Sequence, residues 1–314
     1  LGLLCGVCSV YFALLGEYRF AFLPDAYYHT ALEPKTVIYY SWISFPLILI
    51  LAFLLRKRKK AAGKKIWIAG GVLQLALLCV LCWWGIPEYG DKKSAKVKEL
   101  DYYARTEQWD KILDANKGTL TNYLNMCYLN LALAQKGELA DRMFSFDQRG
   151  PQGLMVGWNK TEQISSLLSD IAFAMGNSAM AQEMAFEAYA TAIGEGNPRM
   201  LKRLVQTNLI YGEYPVAEKY LNILGNTIYY KKWADDHRKF LYNDTAVEQD
   251  SVLGSMRKSL PKENYLSEIN YMEKDLCMVA EANPEKKAAI EYLGALYLLA
   301  KNMDGFKNML ETYY

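Results

Sequence analysis

Two uncharged apolar stretches constrain this chain more than any other feature: VIYYSWISFPLILILAFLL at residues 37 to 55 and IWIAGGVLQLALLCVLCWW at residues 66 to 84. Each is the length a helix needs to cross about 30 Å of hydrocarbon. Neither carries the polar face that a helix in a soluble core presents to water. They read as membrane spans, the second running to about residue 86. Trp42, Trp67, Trp83 and Trp84 stand toward the ends, where indoles favour the headgroup layer. Pro46 would break a soluble helix and is tolerated in a span.

Between the two lies RKRKKAAGKK, with Arg56, Lys57, Arg58, Lys59, Lys60, Lys64 and Lys65 and no acid. A short loop so rich in Lys and Arg stays on the cytoplasmic side, next to the anionic inner leaflet. It is too short and too confined to offer a groove-sized basic surface, so nucleic acid is not its partner. With residues 56 to 65 inside, residues 16 to 36 and everything after Gly85 fall outside. The expected location is a bacterial inner membrane crossed several times, with residues 88 to 314 in the periplasm. The opening LGLLCGVCSVYFALL is apolar without a basic leader, so it reads as the end of a further span rather than a signal peptide. The closing ETYY stops inside a helical pattern, as if the domain continued.

The net charge of +2 averages two unlike parts. Residues 1 to 87 are membrane-like, whereas residues 88 to 314 are charged, helix-prone and long enough to bury a core. Two of the six cysteines form CGVC, Cys5 and Cys8, and two form CVLC, Cys79 and Cys82. Such spacing permits a thiol relay inside the spans. It equally places two small apolar side chains on one helix face, and neither pair has a thioredoxin-like or haem-attachment context.

Beyond residue 90 the apolar spacing is helical, and it recurs. SDIAFAMGNSAMAQEMAF (169 to 186) and LVQTNLIYGEYPVAEKYL (204 to 221) superpose, each with a Gly turn followed five residues later by Ala: Gly176 with Ala181, and Gly212 with Ala217. Looser copies turn at Gly137, near Thr106, and at Asn302 to Gly305. The two clear glycines are 36 residues apart, close to the roughly 34-residue period of a tetratricopeptide repeat. Over most of residues 95 to 314 the chain resembles that superfamily, although no single unit has its full Trp, Leu, Gly and Tyr consensus. The whole plan, spans followed by helical repeats, also resembles an uncharacterised bacterial integral-membrane family classed as a domain of unknown function. These resemblances imply an all-α chain: transmembrane helices, then an α-solenoid of antiparallel helix pairs. They imply no activity and no cofactor.

Catalytic signals are sparse. There is no HExxH, GxSxG or phosphate-cradling loop, and SMRK at 255 to 258 has the Ser-x-x-Lys spacing without its partner motifs. His29 sits in an aromatic loop near Asp25, and His237 is read as lying on a solvated face. FDQRGPQGLMVGWNK (146 to 160) is read as a loop exposing Trp158, and residues 243 to 263 as a linker or short helix. The aromatics Tyr229, Tyr230 and Trp233, with Trp158, are the expected partner surface, since aromatics bury much area with few rotors. The reading is therefore a membrane-anchored scaffold for a protein or peptide of the cell envelope. Its rival is a membrane enzyme, with the cysteine pairs as its chemistry and the repeats as a recruiting arm.

Overall fold

A computed structural model describes residues 36 to 56, 64 to 90, 92 to 192, 196 to 262 and 272 to 313. Cys5, Cys8, His29 and the loop residues Lys57, Arg58, Lys59 and Lys60 lie outside these. The described residues are helical with no strand among them, and they divide into two compact units between Lys92 and Lys93.

The first unit contains α1 (Thr36–Arg56) and α2 (Lys64–Tyr89). Arg56 ends α1 and Lys64 and Lys65 open α2, so the helices flank the basic loop. α1 continues through Pro46. On α2, Leu73, Leu75, Leu77, Leu78, Val80 and Leu81 are all exposed, although they point in every direction around the axis. Covering six such side chains is worth roughly 10 kcal/mol, as much as the net stability of a whole domain. Over Ile68–Glu88 the helix has the length and apolarity to cross a membrane, with a mean hydropathy of 1.9. The shorter apolar segment Ile43–Leu54 of α1 does not reach that length, so the described residues provide one such helix rather than a multi-pass set.

The second unit begins with α3 (Lys92–Arg105) and α4 (Trp109–Ala115), followed by α5 (Tyr123–Gln135) and the single turn α6 (Leu139–Arg142). Next come two long pairs, α7 (Glu162–Met175) with α8 (Ser178–Ala190) and α9 (Pro198–Tyr211) with α10 (Tyr214–Gly225). Shorter pieces follow: α11 (Lys231–His237), α12 (Asp244–Gln249) and α13 (Leu253–Lys258), and last α14 (Met272–Ala282), α15 (Lys287–Leu299) and α16 (Met303–Tyr313). The segment expected to be a linker at 243 to 263 thus holds two short helices, whose buried Val247, Leu253 and Met256 are too few to give a visible period.

Five turns close in one way. A residue with positive φ donates its N–H three residues back, and its successor donates five back. Gly176 bonds to Phe173 and Asn177 to Ala172, at 3.2 and 2.9 Å; Gly212 bonds to Leu209 and Glu213 to Asn208, at 3.2 and 2.8 Å. The same pair of bonds closes the turns at Glu107, Gly137 and Lys301. Two otherwise orphaned carbonyls are satisfied each time, and the chain reverses into the next helix. The outer turns, expected near Thr106 and at Asn302 to Gly305, therefore centre on Glu107 and Lys301. Ala181 and Ala217 are fully buried at the start of the returning helices.

A linear solenoid, in which each pair touches only its neighbours, is not what forms. α15 packs on α14 and α16 but also on α5, α6 and α7, far earlier in the chain. The cause lies in α6. Ten consecutive residues of α5, Asn125 to Ala134, are buried, and a four-residue return helix cannot cover them. α15 supplies Ile290, Tyr292 and Leu293 to the shared core. α14 is tied in by Asn177, which caps α8 by accepting from the Met180 N–H at 3.0 Å and donates to Asp275 Oδ2 at 2.7 Å.

The two clear turns differ in one testable respect. A Cβ at Gly212 would meet open space, while at Gly176 it would come 2.9 Å from Val279 Cγ1 of α14. Gly212→Ala is expected to cost about 1 kcal/mol of backbone strain. Gly176→Ala should cost at least twice that, because it also displaces α14; urea midpoints of the two variants measure the difference.

Candidate functional site

On α9, Arg199, Lys202, Arg203 and Gln206 follow a spacing of three, four and seven residues and so share one face. The helix is started by Pro198 and by Asn197, whose side chain accepts from the N–H groups of Arg199 and Met200 and donates to Glu162 Oε1 at 2.8 Å. That cap fixes the position of Arg199 relative to α7.

Opposite this face, Asp170 stands in the otherwise apolar end of α7. Arg199 bonds to Asp170 Oδ2 through one terminal nitrogen and to Asp101 Oδ1 of α3 through the other, at 2.6 Å for Asp101. Arg203 donates to Asp170 Oδ1 at 3.0 Å and to Gln206 Oε1 at 3.1 Å, and its guanidinium lies 3.6 Å from the Phe173 ring centroid. Asp101 also receives the Tyr128 hydroxyl at 3.2 Å and Arg105 Nε at 3.2 Å. The side chains of Arg199, Arg203 and Asp170 are only 15–16% exposed. Two guanidinium groups thus share the half-buried Asp170 carboxylate, which joins α7 to α9, and Arg199 extends the link to Asp101 of α3.

The ion pairs form the floor of a cleft of about 440 Å³. Trp109 and Tyr230 line its sides, with Arg105, Glu107 and Gln135 around them. Lys202 lies 5.3 Å from the centroid of the Trp233 ring, and Trp233 stacks on His237 at 3.8 Å. Burial, and next the neighbouring Arg203, lowers the Lys202 pKa. Burial also lowers the His237 pKa, opposed by the bond between His237 Nδ1 and the Trp233 carbonyl at 2.8 Å.

The expected aromatic surface is divided. Tyr230 lines the cleft and Trp233 carries Lys202, but Tyr229, at 90% exposure, stands apart with Ile228. Trp158 is not an exposed loop residue: its indole N–H donates to Ser165 Oγ at 2.9 Å, and its ring packs on the core. Loop 146 to 160 is held by Gln148, whose side-chain amide exchanges a pair of hydrogen bonds with that of the buried Asn130. His237 is half-buried against Trp233 and Phe240 rather than solvated. In SMRK it is Arg257 that makes the contacts, donating to the Leu209 and Ile210 carbonyls at the end of α9. Cys79 and Cys82 are unpaired, exposed thiols on α2, and Cys127 is a core residue whose thiol burial pushes up to about 12.

Sequence reasoning missed Asp101, Asp170, Arg199, Lys202 and Arg203. The available signal was an acid inside the apolar part of EQISSLLSDIAFAM, beyond the Glu162 of its first turn, and three bases on one face of PRMLKRLVQTNLIY.

Asp170→Asn keeps the shape but strands two arginines, so it is expected to cost about 3 kcal/mol. Lys231→Ala, at the exposed Lys231 to Asp235 pair, should change stability by less than about 0.5 kcal/mol; both are read by urea denaturation. His237 gives a pH dependence. In the unfolded chain its imidazole titrates near 6.5 and takes up a proton that the folded site disfavours, so stability falls as pH drops below about 6.5. His237→Gln, which can still donate to the Trp233 carbonyl, should remove that part of the slope.

No curated protein matches this chain, and no solved structure does. One family model, described as "Family of unknown function (DUF6057)", matches residues 1–314, and the chain accordingly belongs to that family.

Proposed function

We propose that the chain is a membrane-anchored adaptor whose helix-pair domain holds a polypeptide partner in the cleft beside α9. The observation that carries this reading is the cleft itself: an open concavity walled by Trp109 and Tyr230 over a floor of side chains already locked by ion pairs. Rigid aromatics beside preorganised polar groups bind an extended chain with little loss of rotamer freedom.

In this reading α1 and α2 form a transmembrane hairpin, and lipid covers the side chains that the protein leaves bare on α2. The basic loop at 56 to 65 faces the cytoplasm and anchors the hairpin by charge. The helix-pair domain then stands on the periplasmic face of a bacterial inner membrane, where an envelope protein is the partner.

The test is a photocrosslinking amino acid at Trp109 or Tyr230 in intact cells, with the exposed Phe186 of α8 as the control position. One polypeptide adduct is expected from both cleft positions and none from position 186. Protease added outside spheroplasts should destroy the adduct. Cleft positions that yield no adduct, or an adduct protected from outside protease, would refute the binding site and the topology respectively.

A further inference from the structure

The floor of the cleft carries more positive charge than it neutralises. Among the residues lining it, Arg105, Arg199, Lys202 and Arg203 face only Glu107 and Asp170 as acids. Asp170 is divided between Arg199 and Arg203, and Asp101 beneath is divided between Arg199 and Arg105. Lys202 is left over. Among the described residues no carboxylate lies within ion-pairing distance of it, and its ammonium sits over the Trp233 ring instead.

A half-buried ammonium beside two guanidinium groups is unfavourable unless an anion completes the set. The direction of the Lys202 pKa agrees: burial, Arg203 and Arg199 act against its charge and outweigh the attraction of Glu107 and Asp170. Arg199 and Arg203 are geometrically committed, each already bonded to Asp170, whereas Lys202 retains its donors and a flexible stem. Gln135 and Gln206 line the same space with neutral polar side chains.

From this we infer that the cleft binds an anionic oxygen group on the partner polypeptide, a carboxylate or a phosphate, with Lys202 as its principal contact and Arg105 as its second. The inference rests on the reading of the cleft as a polypeptide site. Trp109 and Tyr230 flank the chain that bears the group, and Glu107, exposed at the edge, disfavours a second anion there.

The experiment uses the full chain in detergent and a fluorescein-labelled oligoglutamate, with oligoserine as the neutral probe and inorganic phosphate as competitor, read by anisotropy. Oligoglutamate should bind saturably and oligoserine should not. Lys202→Gln should weaken binding about tenfold, the loss of one charge-assisted contact. Lys202→Glu should abolish it, and Lys232→Glu, at an exposed base outside the cleft, should leave it unchanged. An unchanged urea midpoint for Lys202→Glu shows that the fold survives. Displacement by phosphate adds phosphate to the accepted groups, and failure to displace assigns the site to carboxylates.

Absence of oligoglutamate binding, equal binding of oligoserine, or full binding by Lys202→Glu would overturn the inference. The underlying reading fails separately. If adducts at Trp109 and Tyr230 persist undiminished in Lys202→Glu cells, the polypeptide cleft stands and the anion does not; if the native chain gives none, the cleft itself is lost.

Discussion

The helix-pair unit depends on a single residue at the end of the first helix of each pair taking left-handed backbone. Its N–H and that of its successor satisfy carbonyls that would otherwise face a buried turn, and the chain leaves in the opposite direction. Where Gly occupies the position, as at Gly176 and Gly212, the conformation carries no Cβ penalty. Glu107 and Lys301 adopt it with one, at the outermost of the five turns. Because the returning helix must lie close, the fully buried position five residues after the glycine is Ala in both clear copies, Ala181 and Ala217.

The departure from an open array follows from the burial of α5. A helix with ten successive buried residues needs cover on all sides, and the chain immediately after it supplies only one turn of helix. The deficit is met by α15, so the last helices stabilise the second pair. Contacts that are local in a repeat protein become long-range here, which couples the end of the domain to its beginning. Asn177 marks the join, capping α8 and bonding to Asp275 of α14 with the same side chain.

The cleft residues show how far a pattern can be read. Tyr230 and Trp233 stood out as aromatics near basic residues, and both belong to the cleft or its support. Tyr229, one residue away, does not, because successive positions on a turn point in different directions. Trp158 looked exposed from its Gly-rich surroundings, yet the hydrogen bond to Ser165 and the Asn130 to Gln148 exchange draw that loop onto the core. The decisive carboxylate, Asp170, appeared in sequence only as an interruption of an apolar helix.

Local chemistry determined what the sequence could tell by itself: the helical class, the apolar stretches of α1 and α2, the basic segment between them, and the positions of the central turns at Gly137, Gly176 and Gly212. Each depends on a period, a run or a backbone preference contained within a few residues. Tertiary structure alone decided that α15 covers α5, that Asp101 and Asp170 meet Arg199, and that Lys202 is left without a carboxylate. The ion pairs join residues up to 98 positions apart, α5 and α15 lie further apart still in the chain, and no local period records which distant helix will fill a gap. An ion pair is a property of two elements brought together, whereas a turn is a property of one segment of chain.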